Sequence, residues 1–326
     1  MQNPAGQAKS AETWSVTHPL TAEDGIAMTA MRAMAEPNKG KLQGIAARGP
    51  YDGIMAGVIP AEGVTYRSDT IGGISGWWCQ PAGALPSGAI MHLHGGWFNW
   101  GSAQAFRHLV GHIAQRAGVE AFIPDYRLAP ENPFPTAVND VQACYNGLVA
   151  RGMQRIALTG DSAGGNLALV LLSLTAAQAS STKAVPVGAV ALSPVTDLAL
   201  TAPSWISRAE ADPYFIKVQV LELVRSYLNG HDAADSVASP LYGNLTGLPP
   251  IRVHVGDDEV LLDDSRRYVE RAVATGVDAR VDVWGGMPHG FVGGIGKLDA
   301  AAQALNAVGT FLRGIMRTPI LNTVAA

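Results

Sequence analysis

A serine flanked by glycines is the most chemically suggestive feature of the sequence. The segment Gly160-Asp161-Ser162-Ala163-Gly164 has the pattern Gly-x-Ser-x-Gly and lies between a predicted strand and a predicted helix. A nucleophile on such a sharp turn has a strained backbone, so its neighbours must lack bulky side chains. The N–H groups that open the following helix would favour negative charge developing nearby. The pattern predicts that Ser162 attacks a carbonyl carbon.

A histidine late in the chain could supply the base that this serine needs. His289 lies in the segment Gly285-Gly-Met-Pro-His289-Gly-Phe291, on a loop after the last predicted strand. A neutral imidazole near Ser162 would take the hydroxyl proton and pass it to the leaving group. Acidic residues at 257–259 lie between the two, which gives the chain order serine, acid, histidine.

Two glycines after an earlier strand could bind the negative charge of a tetrahedral intermediate. The strand ends in His92-Leu93-His94-Gly95-Gly96, and consecutive glycines allow backbone N–H groups to point into a cavity. The predicted donors are the N–H groups of Gly95, Gly96 and Ala163. The two histidines of this segment have a spacing that metal ligands can have, but no third ligand accompanies them, so no metal site is predicted.

The elements that must position these residues alternate between strand and helix. Helical segments separate most successive strands, so the sheet should be mostly parallel and covered by helices on both faces. The first two strands lie close together around a glycine pair and should form a hairpin. The predicted strands cover residues 64–70, 73–80, 89–94, 119–125, 155–160, 187–193, 251–256 and 279–284.

Two segments lie outside this alternation. Residues 198–240 are inserted between two predicted strands, and residues 1–60 precede the sheet. Such an insertion belongs above the carboxyl ends of the strands, where open α/β sheets bind ligands. We therefore expect both segments to form a helical cap, with 61–197 and 241–326 as the catalytic core. The helix predicted over 21–35 could pack onto the core or act as a lid.

The composition limits the class of protein. With 48% hydrophobic and 15% charged residues, the chain is not intrinsically disordered. A net charge of −4 provides no basic excess for binding nucleic acid. No membrane span or secretory signal is visible, so we expect a cytoplasmic protein in which Cys79 and Cys144 are free thiols, although a disulfide between them stays open. A homodimer is compatible with the composition, which indicates no particular oligomeric state.

Several motifs in order resemble those of the hormone-sensitive-lipase-like bacterial carboxylesterases, a family of the α/β-hydrolase superfamily. The resemblance covers roughly residues 60–316. It implies an α/β-hydrolase fold with an eight-stranded, mostly parallel sheet, helices on both faces, a helical cap, and esterase activity without a cofactor. The matching segments are His94-Gly95-Gly96, Asp125–Glu131 with Phe134-Pro135, Gly160–Gly165, Asp212-Pro213-Tyr214 and His289-Gly290-Phe291.

The sequence departs from this family at the oxyanion motif. The usual third glycine is Trp97, and Phe98 follows it. Bulky rings there should narrow the site and favour short substrates. The alternative is that these rings only pack beneath the cap. The candidate substrate-binding residues are Trp97, Phe98, Asp161 and Tyr214.

The second departure concerns the acid. The family pattern Asp-Pro-Leu-x-Asp matches Glu259-Val260-Leu261-Leu262-Asp263 without a gap, which places a glutamate at the acid position. The resemblance thus implies a triad of Ser162, His289 and Glu259, with Asp258 as the alternative acid. The acidic cluster at 257–264 lacks the spacing and turn glycine of an EF-hand loop, so we expect no metal there.

These residues together predict a serine carboxylesterase. It would hydrolyse short-chain uncharged esters through an acyl-enzyme, without a cofactor. A lactone hydrolase or an amidase could use the same triad. A third interpretation is a non-catalytic receptor for a small ligand. Relatives of that kind have lost the catalytic histidine, so the presence of His289 argues against it.

Overall fold

The computed structural model describes residues 14–178 and 185–318, so the parts of the predicted cap and core at 1–13, 179–184 and 319–326 lie outside the described residues. The strands are β1 (Ser15–His18), β2 (Val64–Ile71), β3 (Ile74–Pro81), β4 (Gly88–Leu93), β5 (Glu120–Pro124), β6 (Arg155–Asp161), β7 (Gly188–Leu192), β8 (Ile251–Gly256) and β9 (Ala279–Trp284). The helices are α1 (Ala22–Ala35), α2 (Arg48–Ala56), α3 (Ala103–Ala117), α4 (Thr136–Ala150), α5 (Ala163–Ala177), α6 (Ser204–Ser207), α7 (Lys217–Leu228), α8 (Leu262–Ala274) and α9 (Asp299–Arg317).

One mixed sheet runs through the molecule in the order β1-β9-β8-β7-β6-β4-β5-β3-β2. The predicted hairpin β2–β3 is antiparallel, and β3 pairs antiparallel with β5. Every other pairing in the described sheet is parallel. This arrangement confirms the predicted α/β architecture with a mostly parallel sheet.

Alternate residues of the central strands enter two separate cores, one on each face of the sheet. Met91 of β4 and Leu158 of β6 belong to the core that contains residues of α4, α5 and α8. Ile90 and Val190 belong to the core that contains residues of α3 and α9. Because successive side chains of a strand point to opposite faces, this division places helices on both faces, as predicted.

The expected number of strands was wrong. The resemblance implies eight, and the described part of the chain has nine, because β1 adds an edge strand parallel to β9. Four residues are too few to show a strand pattern in the sequence, and β1 is held by its pairing with β9. His18 at its end stacks on Trp284 with ring centroids 3.8 Å apart. The N-terminal segment, assigned to the cap, therefore also contributes to the sheet.

The parallel strands bring the predicted chemical residues to one edge. Strands β4, β6, β7, β8 and β9 are parallel neighbours, so their carboxyl ends lie side by side. The loops that leave these ends carry Gly95, Ser162, Ser193, Glu259 and His289 respectively. This is the edge at which open α/β sheets form their sites.

The N-terminal segment and the insertion are hydrogen-bonded to each other. The N–H of Gly40 donates to the carbonyl of Tyr214 at 2.9 Å. The side-chain amide of Gln219, on α7, donates to the carbonyl of Leu42 at 2.7 Å. These contacts support our proposal that residues up to 60 and residues 198–240 form one cap.

Two expectations from composition concern cysteines and membranes. Cys79 and Cys144 are both buried and free, as predicted. None of the described helices is both long enough and apolar enough to cross a membrane.

Helix α1 docks onto the core through a carboxylate near its start. The two oxygens of Asp24 accept hydrogen bonds from the N–H groups of Asp299 and Ala300, at 2.8 and 2.9 Å. These residues open α9, which has no capping side chain in its own N-cap residue. One turn further along α1, Met28 is buried. Of the two roles considered for the helix over 21–35, the structure shows packing onto the core.

Removing the Asp24 carboxylate, which caps the start of α9, should destabilise the fold. We expect Asp24→Ala to lower the free energy of unfolding by about 1–2 kcal/mol, because two N–H groups of α9 lose their acceptor. Glu23→Ala is the matched control, since Glu23 is exposed and should change stability by less than about 0.5 kcal/mol. Urea denaturation followed by circular dichroism measures both. Equal stability of the two variants would contradict the capping role.

Candidate active site

Ser162 occupies a strained turn between β6 and α5. Its backbone angles are φ 55° and ψ −118°, outside the regions that residues with side chains favour. A Cβ atom at Gly160 would overlap the carbonyl oxygen of Gly164, and one at Gly164 would overlap that of Leu93. Gly160 is therefore required for the start of α5 to pack against the end of β6, and Gly164 for the turn to pack against the end of β4.

His289 is held by Glu259. The Nδ1 atom of His289 lies 2.7 Å from Oε2 of Glu259. The other oxygen, Oε1, accepts hydrogen bonds from the hydroxyl of Ser193 at 2.7 Å and from the N–H of Gly256 at 2.6 Å. Glu259 is fully buried, and these hydrogen bonds replace those that its carboxylate would make with water. The arrangement fixes the orientation of the imidazole.

Asp258, the alternative acid, has a different partner. Its Oδ2 lies 2.6 Å from a guanidinium nitrogen of Arg32 on α1. The same guanidinium also donates to the carbonyl of Ala211 in the insertion. The structure thus brings Glu259 to His289 and joins Asp258 to the cap. The catalytic role of Glu259 remains a prediction.

The charges around His289 favour its protonated form. Burial alone would lower the pKa of His289, but the charge and hydrogen bond of Glu259 oppose this effect. The carboxylates of Asp212 and Asp161 add to the rise, and the pKa lies above the usual value for histidine. These carboxylates would stabilise the imidazolium that forms when His289 takes a proton.

The serine turn and the acid–histidine pair are attached to the same strand end. The N–H of Ser162 donates to the carbonyl of Leu192, the last residue of β7, at 2.8 Å. The next residue, Ser193, donates its hydroxyl to Glu259. The end of β7 therefore fixes the position of both groups relative to each other.

The loop after β4 has an unusual backbone. Gly96, Trp97 and Phe98 have φ values of 118°, 53° and 61°, three successive residues in the left-handed region. Such a conformation costs a residue with a side chain about 1–3 kcal/mol and is typical of functional loops. Within the described part of the chain, the N–H groups of Gly96 and Trp97 make no hydrogen bond. Both hydrogens are therefore available to an acceptor that the described residues do not supply.

Gly95 differs from its predicted role. Its N–H donates to Oδ1 of Asp161 at 3.0 Å, so that hydrogen is not free for a substrate in this structure. Asp161, a predicted substrate-binding residue, holds this loop through its carboxylate, and its contact with a substrate remains a prediction. The third predicted donor, Ala163, is the first residue of α5, and its N–H has no acceptor among the described residues.

The two aromatic residues of the loop lie in different surroundings. Trp97 is buried and makes an edge contact with Phe215, with ring centroids 5.4 Å apart. Phe215 in turn contacts the ring of His289 at 5.0 Å. Phe98 stacks at 3.8 Å on Tyr227 of α7, which is packing beneath the cap. Trp97 is therefore linked to His289 through Phe215, whereas Phe98 packs on α7, and contact of either ring with a substrate remains a prediction.

Asp212 and Ser193 are two residues of the site for which the sequence predicts no function. Asp212 is buried, and it accepts hydrogen bonds from the N–H groups of Tyr214, Phe215 and Val260 at 2.8, 3.0 and 3.0 Å. It thereby holds Phe215 against His289 and joins the insertion to the acid loop. Burial raises the pKa of Asp212, although these N–H groups oppose the shift.

The sequence contained a signal for one of these two residues. The Asp-Pro-Tyr motif at 212–214 marked Asp212, whereas Ser193 was marked only by its position after a predicted strand. Tyr214 lies in the turn that Asp212 holds. Its contact with a substrate remains a prediction.

Known proteins resemble this chain over most of its length. The family described as alpha/beta hydrolase fold matches residues 90–293. An acetyl-hydrolase from Streptomyces hygroscopicus is 34% identical over 259 residues, which are 79% of this chain and 84% of the relative. An esterase from Acinetobacter venetianus is 35% identical over 226 residues, 68% of this chain and 73% of that protein.

A solved structure shows the same similarity in three dimensions. The crystal structure of an esterase from the bacterial hormone-sensitive lipase family superimposes with a TM-score of 0.84 at 34% identity. The match covers 92% of this chain and 100% of the esterase. Sequence motifs, strand order and these comparisons agree, and the chain belongs to the hormone-sensitive-lipase-like family of α/β hydrolases.

Proposed function

We propose that the protein is a serine carboxylesterase that hydrolyses short-chain, uncharged esters. The observation that carries this proposal is the 2.7 Å contact between His289 and the buried Glu259, at the strand edge that also holds the strained turn of Ser162. The relatives named acetyl-hydrolase and esterase support ester hydrolysis.

The proposed reaction passes through an acyl-enzyme. The hydroxyl of Ser162 attacks the ester carbonyl carbon while His289 takes its proton, and Glu259 stabilises the resulting imidazolium. The tetrahedral intermediate collapses as His289 returns the proton to the departing alkoxide. Water, activated by the same imidazole, then releases the acid and regenerates the serine.

The proposed oxyanion donors follow from the hydrogen bonds of the loop. The N–H groups of Gly96, Trp97 and Ala163 would bind the oxyanion, because the N–H of Gly95 is bound to Asp161. Ala163 adds the effect of a helix N-terminus, which favours negative charge.

The substrate preference follows from the rings beside His289. Trp97 contacts Phe215 and also lies 6.3 Å, centroid to centroid, from Trp205 of α6. Rings of this size leave little room for a long chain, and an apolar wall favours an uncharged one. We therefore propose small, uncharged esters as substrates.

Removing the serine hydroxyl should abolish activity and keep the fold. We expect Ser162→Ala to lower kcat for p-nitrophenyl acetate by at least about 10³-fold, because no other group can form the acyl-enzyme. Ser68→Ala is the control, since Ser68 is exposed on β2. Steady-state kinetics and thermal unfolding measure both variants. A Ser162→Ala enzyme with near-normal kcat would contradict the assignment.

The two neighbouring carboxylates should respond differently to amide substitution. We expect Glu259→Gln to lower kcat at least about 10²-fold with little change in KM, because the amide would present a donor to Nδ1 of His289. Asp258→Asn, the matched control, should cost less than about tenfold, because Asp258 contacts Arg32. The reverse ranking would make Asp258 the acid.

The pH profile provides a second readout of the same pair. In the wild-type enzyme, kcat/KM should rise with pH through an apparent pKa above the ~6.5 of free histidine, because the base must be neutral and Glu259 raises the pKa of His289. The residual activity of Glu259→Gln should show a lower apparent pKa. An unchanged apparent pKa would show that Glu259 does not act on the base.

Trp97 should limit the length of the acyl chain. Trp97→Gly would remove the ring and relieve a φ of 53°, so we expect the ratio of kcat/KM for octanoyl over acetyl esters to rise about tenfold. Phe98→Leu is the control, because its ring stacks on Tyr227 and should affect stability without changing this ratio. An unchanged ratio in Trp97→Gly would place Trp97 outside the pocket.

A further inference from the structure

His92 lies behind the oxyanion loop, on β4, and is fully buried. It is paired in register with Thr159 of β6, and its Nδ1 lies 2.9 Å from the Thr159 hydroxyl. Its Nε2 lies 3.3 Å from Oδ1 of Asp161 but forms no hydrogen bond with it in this structure. No other described group bonds to this nitrogen. His92 therefore has one hydrogen-bonded nitrogen, Nδ1, and one unbonded nitrogen, Nε2, close to a carboxylate.

Asp161 connects this histidine to the loop that would bind the oxyanion. It precedes Ser162, and its Oδ1 accepts the N–H of Gly95 at 3.0 Å. A Cβ atom on Gly95 would overlap the carboxylate, which shows how closely the loop approaches it. The position of the Asp161 carboxylate therefore sets the position of the loop.

Gly95, the residue at which the chain enters the loop, is held through both of its backbone polar groups. The carbonyl of Gly95 lies 2.9 Å from Nδ1 of His94, while its N–H is bound to Asp161. The Asp161 side chain is only 13% exposed, and a largely buried carboxylate needs more than one donor. Nε2 of His92, 3.3 Å from Oδ1, would supply a second donor when it carries the proton.

We propose that His92 is a positioning residue for the oxyanion loop, acting through Asp161. In this assignment Nε2 of His92 carries the proton and donates it to Asp161, because the opposite tautomer would place the bare lone pair of Nε2 against a carboxylate, and the Thr159 hydroxyl then donates to Nδ1. Asp161 in turn holds the N–H of Gly95. Hydrogen bonds of this kind are often long in a free enzyme and tighten in the transition state. The inference rests on the proposed function and extends it to the support of the oxyanion loop.

This role has a kinetic signature. The oxyanion forms only on the way to the transition state, so a misplaced loop lowers kcat and leaves KM nearly unchanged. A histidine that only filled the core would instead change the thermal stability, and its loss would not be corrected by restoring a donor at one atom.

Three substitutions at position 92 separate these roles. The amide nitrogen of glutamine can occupy the place of Nε2 and donate to Asp161, whereas the amide of asparagine reaches only the place of Nδ1. We expect His92→Asn and His92→Phe to lower kcat about 30-fold with KM within about twofold, and His92→Gln to stay within about threefold of wild type. Kinetics with p-nitrophenyl acetate and thermal unfolding measure all three.

Two results would overturn the proposal. One is wild-type kcat in folded His92→Asn, and the other is an equal loss in His92→Asn and His92→Gln. If His92→Phe does not fold, the asparagine–glutamine pair still decides between the two roles. A higher kcat in His92→Gln than in His92→Asn, at equal stability, supports the positioning role.

A second readout separates this inference from the proposed function. Phosphonylation of Ser162 by a fluorophosphonate also places an oxygen in the oxyanion site. If the wild-type protein hydrolyses no ester, the proposed function fails, and the rate of phosphonylation still tests His92. The proposal expects this rate to fall about 30-fold in His92→Asn and to recover in His92→Gln. Equal rates in the two variants would overturn it.

Discussion

The contact of the β6–α5 turn with the end of β4 is the constraint on which the rest of the site depends. Gly164 lies so close to Leu93 that no side chain fits between them, and Ser162 must adopt a φ of 55°. This single turn sets the nucleophile, the start of α5 and the oxyanion loop relative to one another. The strain, about 1–3 kcal/mol for such a residue, persists because the buried helix α5 fixes the turn.

A second set of contacts joins the proposed cap to the loop that carries Glu259. Arg32 of α1 reaches Asp258, and Asp212 of the insertion reaches Val260, so the cap holds both neighbours of Glu259. Glu259 therefore stays aimed at His289 through residues that come from both cap segments. The three carboxylates at 257–259 thus have different partners, because Glu259 contacts His289, Asp258 pairs with Arg32, and Asp257 pairs with Arg208 of the insertion.

The sequence alone predicts those parts of the site that lie within a short motif. Glycine spacing and a strand–helix context predicted the turn of Ser162, and an ungapped motif match selected Glu259, which the structure brings to His289. The sequence could not show that Gly95 gives its N–H to Asp161, because that bond joins residues 66 positions apart. Nor could it show β1, whose four residues form a strand only by pairing with β9.

The most direct test of the account is the location of covalent labelling by a fluorophosphonate. We expect the folded chain to present one activated serine, at the turn between β6 and α5. Intact mass spectrometry and peptide mapping should show one adduct per chain, on Ser162, and none after denaturation. A label on another residue, or none on a folded protein that hydrolyses esters, would contradict it.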